Sequence, residues 1–210
     1  MIPVPRGEAL RYLGCRGDGD QAAEALLDAC IPAVEGAADP RWTAREVPLL
    51  LFPGGVRLGE WDVESRALRD HLEGCGSALL FAATLGVEVD RLIARGSAGH
   101  IAWAAGCQAS AAALIEAVCD DACEQLSGRY PGLFLRPRFS PGYADFPLPC
   151  QKQLLSLLDA PRKIGLTATD ACLLAPSKSV TAVVGLSSAP GKCHAGGCAT
   201  CSKSNCAFRR

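Results

Sequence analysis

Apolar positions along the chain alternate between helical and extended spacing. Ala9-Leu10-Arg11-Tyr12-Leu13 opens the sequence, a Gly/Asp turn follows at Gly17 to Gly19, and Ala22, Leu26, Leu27 and Cys30 then mark a helix that Pro32 is expected to limit. Glu46 to Phe52 reads as a strand closed by Pro53-Gly54-Gly55; Pro48 makes it an edge strand or puts its start just after that residue. Ser65 to Leu72 has helical spacing and ends at Gly74 and Gly76, and Ala78 to Ala83 is a short continuous apolar run suited to a buried strand. Thr84-Leu85-Gly86 turns into a helix up to Arg95-Gly96. A long helix from about His100 to Leu126 stops at Pro131-Gly132. After a proline-rich loop, residues 151 to 158 read as helix, and Lys163 to Leu166 and Ser179 to Leu186 as strands.

Helices and strands mix without a repeating βαβ unit, so the pattern predicts an α+β fold with a mixed or antiparallel twisted sheet. Beyond Leu186 the apolar period vanishes and a Ser/Gly/Lys/Cys-rich run begins. The expected organisation is therefore one domain over 1–189 and an appended tail over 190–210.

Charge narrows the partners. With 21 basic and 22 acidic residues among 210, the formal net charge is −1, which gives no basic footprint for nucleic acid. The N-terminus MIPVPRGEAL lacks the basic start and apolar core of a signal peptide, so the 12 cysteines are expected as thiols in the cytoplasm. The most apolar helical stretch, Ile101 to Cys119, contains Gln108 and Glu116 and is built largely on alanine. It is expected to fall short of the roughly 20 strongly apolar residues of a membrane span and to serve as a core helix.

Two segments carry candidate chemistry. Residues 136 to 152, RPRFSPGYADFPLPCQK, form a loop whose prolines and glycine stiffen the backbone around Arg138 and Tyr143. Taken alone, Pro141-Gly142 is an ordinary type II turn, Tyr143 a packing residue and Arg138 a surface charge. Glu116, Asp120 and Glu124, spaced by four, read as a solvated helix face.

Arg138 followed by three residues and Gly142-Tyr143 resembles the Arg-x-x-x-Gly-Tyr loop with which the activation domain of cobalamin-dependent methionine synthase holds S-adenosylmethionine. Downstream, Leu166-Thr167, Ala175-Pro176 and Ser179-Val180-Thr181 are similar to that family's Leu-Thr, Pro and Ser-Val-Ser run. Leu114-Ile115-Glu116-Ala117 matches a family helix with a ligand-contacting acid, Glu116 being the best match.

The resemblance covers residues 100 to 187 well and 1 to 99 faintly. It departs at Phe146-Pro147-Leu148-Pro149, where the family has Cys-Pro-acid-His, and after the Ser179-Val180-Thr181 run, where the family continues into a strand and a tyrosine-bearing segment and Gly191-Lys192-Cys193-His194 begins the cysteine tail here instead.

The resemblance implies a small free-standing relative of the activation domain, with S-adenosylmethionine held by Glu116, Arg138, Gly142 and Tyr143. The residue types suit that ligand: a planar cation for its carboxylate, and an acid near its sulfonium and ammonium. Tyr143 would face the corrinoid ring. The implied role is reactivation of a cobalamin-dependent methionine synthase, or a related corrinoid methyltransferase subunit, whose cobalt has slipped to the inactive cob(II)alamin state. The electron would come from the tail, a flavodoxin or a ferredoxin.

The tail holds Cys193, Cys198, Cys201 and Cys206 with four, two and four intervening residues, a ligand density suited to zinc or an iron–sulfur cluster; His194 is an alternative ligand. Two rival readings stay open: an electron-transfer or metal-carrying adaptor protein, and a component acting directly in the methyl cycle. Most of the other eight cysteines read as small core residues, Cys119 and Cys123 at helical spacing four could face each other and are assigned no role, and His71 and His100 read as isolated structural histidines.

Overall fold

The computed structural model describes residues 2–15 and 21–190. Its centre is a six-stranded, wholly antiparallel sheet of order β3-β2-β1-β4-β8-β5, formed by β1 (Arg41–Phe52), β2 (Gly55–Leu58), β3 (Trp61–Glu64), β4 (Ser77–Thr84), β5 (Phe134–Leu135) and β8 (Ser179–Ser187). A two-stranded ribbon pairs β6 (Thr167–Ala168) with β7 (Leu174–Ala175). The α+β class read from the sequence holds, with antiparallel pairing throughout.

Both faces of the sheet are covered, because its central strands are apolar on both faces. Leu79, Phe81 and Ala83 of β4, with Ala182, Val184 and Leu186 of β8, join one core. That core is completed by α1 (Arg6–Tyr12), α2 (Gln21–Ala37), α4 (Val87–Ser97) and α5 (Ile101–Arg129). Ala78, Leu80 and Ala82 of β4, with Val183 of β8, face the opposite core under α3 (Arg66–His71), α6 (Cys150–Leu158) and α7 (Ala160–Ile164).

By length and composition α5 is apolar enough to cross a membrane, contrary to the sequence expectation. More than half of its most apolar stretch is buried against α1, α2, α4 and the sheet, and it acts as a core helix. Gly106 allows the close α2–α5 approach: a Cβ there would lie 2.6 Å from Cys30 Sγ.

Three local expectations change. Pro32 does not limit α2, which runs on to Ala37. Pro32 is exposed, and the carbonyl it cannot serve belongs to Asp28, itself on the exposed face, while Leu27, Cys30 and Val34 stay buried. Nor does Pro48 make β1 an edge strand. Pro48 opposes Ser77, the first residue of β4, and its carbonyl accepts from the Gly59 amide at 2.8 Å, so β1 passes from β4 to β2 where no N–H is required. Finally, Lys163 and Ile164 belong to a helix. Asp159, at φ 54°, turns the chain out of α6, Pro161 opens α7, and Gly165, at φ 68°, ends it.

Candidate functional site

After β5 the chain runs beside β8 with one residue too many. The Arg136 amide donates to the Gly185 carbonyl at 2.8 Å, and Phe139 exchanges both backbone bonds with Val183 at 2.9 and 2.8 Å. Three steps along the loop thus match two along β8, the signature of a bulge. The extra residue turns Arg138 towards α5 while Phe139 packs against the α3/α6 core.

On α5, Glu116 and Asp120 are one turn apart and share a face. Arg138 Nη2 donates to Glu116 Oε2 at 2.8 Å and Nη1 to Asp120 Oδ1 at 2.8 Å, with Cys123 Sγ 3.7 Å from Nη1. The Arg138 side chain is 19% exposed, against 42% for Glu116 and 73% for Asp120. Burial works against the guanidinium charge, but the Asp120 carboxylate and the neighbouring Cys119 and Cys123 sulfurs outweigh it and raise its pKa. Burial first, and the nearby acids second to Arg138, set the Cys119 thiol, which is pushed up to about 12.

Beyond Arg138 the loop closes on itself. Tyr143 donates its amide to Ser140, Phe146 to Tyr143, and Gly142 to Phe146 at 2.8 Å. Gly142 has φ 88°, a conformation that favours glycine, and a Cβ there would lie 3.1 Å from Leu148 Cδ1, the end of an exposed side chain that would have to give by a few tenths of an ångström. Tyr143 is 57% exposed and stands edge-on to Phe139 at 5.4 Å between ring centroids. Phe139 also stacks on buried Phe146 at 6.2 Å. Rigid backbone, a half-buried cation and an exposed aromatic thus share one short segment.

Of the residues predicted from sequence, Glu116 and Arg138 are in direct contact, and Gly142 and Tyr143 continue the same loop. Cys193, Cys198, Cys201, Cys206 and His194 lie outside the described residues. Among the described residues no group of three or more His, Cys, Asp or Glu side chains could hold a metal.

Sequence reasoning missed Asp120 as an Arg138 partner, and missed His71 and Asp145. His71 Nε2 donates to the Pro137 carbonyl at 2.8 Å, and Asp145 binds the N-terminal end of α3 through Ser65 Oγ at 2.5 Å and the Arg66 amide at 2.8 Å. Spacing gives Asp120 away, four residues after Glu116; nothing in the sequence signals the other two.

Compared with solved structures, the chain superimposes on the crystal structure of the MetH reactivation domain bound to AdoHcy with a TM-score of 0.60 and 20% sequence identity. The chain has the fold of the MetH reactivation domain. The match covers 82% of this chain and 65% of the MetH structure, so the chain spans just under two thirds of that structure's length. No protein-family model and no curated protein matches it.

Proposed function

We propose that this chain binds S-adenosylmethionine where α5 meets the 138–143 loop and presents it to a corrinoid-bearing methyltransferase subunit for reductive reactivation. One observation carries the reading: Arg138, held by Glu116 beside exposed Tyr143, lies on a fold whose MetH counterpart is bound to AdoHcy.

The donor set fits the ligand. Arg138 has five N–H donors and commits one on each terminal nitrogen to an acid, which leaves an edge for a ligand carboxylate. Glu116 and Asp120 supply negative charge for an ammonium or sulfonium. When bound, S-adenosylmethionine supplies the electrophilic methyl group. The chain's own part is proximity and orientation, for which a rigid loop is suited and no general base is required.

Calorimetric titration of the anaerobically purified chain with S-adenosylmethionine, alone and with a cobalamin-loaded partner, tests the reading. Saturable binding that Arg138→Ala abolishes without unfolding supports it; an absence of binding in both formats overturns it.

Residues 190–210 are proposed as a separate metal-binding tail, on the density of Cys193, Cys198, Cys201 and Cys206 in the sequence. Iron, labile sulfide and zinc analysis of the anaerobic protein distinguishes a cluster from zinc. No metal in either form would remove the tail from the mechanism.

A further inference from the structure

We propose that α3 is a brace for the ligand loop and that His71, at its last turn, is a positioning residue for Arg138. The inference rests on the ligand reading above.

The short helix grips the loop at both ends. At its N-terminal end, Asp145 accepts from Ser65 Oγ at 2.5 Å, the Arg66 amide at 2.8 Å and the Ala67 amide at 3.1 Å, while Ser65 Oγ caps the Leu68 amide. At its C-terminal end, His71 Nε2 lies 2.8 Å from the Pro137 carbonyl, and the imidazole packs on Phe139 at 4.9 Å between centroids. A carbonyl can only accept, so Nε2 carries the hydrogen in either charge state of the ring.

His71 therefore holds the residue before Arg138 by a hydrogen bond and the residue after it by ring contact. The bulge explains why such a grip is needed. Pro137 and Arg138 lie between the two ladder attachments to β8, at Arg136 and Phe139, and the ladder does not fix them. His71 supplies from α3 the hydrogen bond that β8 does not, on the side of the backbone opposite the acids of α5. With the helix spanning about 9 Å along its axis, one rigid element fixes both the start of the loop and its far end at Asp145.

The test compares the wild-type chain, His71→Gln and His71→Leu, using S-adenosylhomocysteine titration and amide hydrogen exchange of the full-length protein. Gln retains a donor for the Pro137 carbonyl; Leu retains apolar contact with Phe139 but donates nothing. We expect His71→Gln to bind within about twofold of wild type and His71→Leu about tenfold more weakly, the loss of roughly one hydrogen bond. The global melting temperature is expected to fall by no more than a few degrees in His71→Leu and by less in His71→Gln, and exchange at Gly142 to quicken only in His71→Leu.

Wild-type affinity in His71→Leu would overturn the positioning role, and Arg138→Ala would still report on the ligand reading. If the wild type binds nothing, that reading fails. Exchange then decides the brace: unchanged Gly142 protection in His71→Leu overturns it, and faster exchange upholds it.

Discussion

Arg138 reaches across 22 residues of sequence to donate to Glu116 Oε2 at 2.8 Å, joining the loop after β5 to the middle of the core helix. Its second acid, Asp120, is far more exposed, and the two contacts should differ in strength. Asp120→Asn is expected to change unfolding free energy by at most about 0.5 kcal/mol, as for most solvated ion pairs. Glu116→Ala leaves a mostly buried guanidinium short of a partner and should cost about 1 kcal/mol after allowance for screening. Urea denaturation followed by circular dichroism checks both.

Gly106 supports the α2–α5 contact without touching the site. A Cβ there would lie 2.6 Å from Cys30 Sγ and 3.0 Å from Leu26 Cγ, so one helix must shift. Gly106→Ala is expected to destabilise by about 1–3 kcal/mol despite alanine's better helix propensity. A melting temperature at or above that of the wild type would contradict this packing.

Asp145 gives the loop an acid limit. Its hydrogen bond from Ser65, and secondarily those from the Arg66 and Ala67 amides, hold its pKa below the ordinary 3.8. A carboxyl depressed in the folded state contributes stability above its unfolded pKa and loses it as pH falls through the folded value. Wild type should therefore exceed Asp145→Asn in stability at neutral pH. The gap should close below about pH 4, measurable as converging melting temperatures across a pH series.

Thiol labelling should follow burial. Cys107 and Cys119 are pushed up to about 12, chiefly by burial, which leaves roughly one thiolate in ten thousand at pH 8. Among the described cysteines, brief iodoacetamide treatment of the native chain should spare both, while half-buried Cys15, Cys75, Cys123, Cys150 and Cys172 react ahead of them. Peptide mass spectrometry reads the order, and unfolding should abolish it.

Much of the scaffold was legible because period and burial agreed. The continuous apolar run of β4 and the alanine-rich α5 are buried on several sides, and both emerge where the pattern put them. Proline misled wherever its local rule met a permissive neighbour: Pro32 faces solvent, and Pro48 stands where one strand partner replaces another. The β2–β3 hairpin was passed over because its four-residue strands offer too few alternations to register. In the site, Arg138, Gly142 and Tyr143 share one loop and were read together. His71 and Asp145 meet their partners 66 and 79 residues away, a distance that no local period encodes.

The surplus residue between Arg136 and Phe139 also sets which changes this segment tolerates. Removing one residue there would let the ladder run evenly along β8 and send the arginine side chain to the wrong side of the wall, out of reach of Glu116. Replacing Pro137 alters chemistry at one point, but shortening the stretch disconnects α5 from the loop altogether. Here the count of residues is under tighter constraint than their identity, and a single-codon deletion should be more damaging than any substitution at the same place.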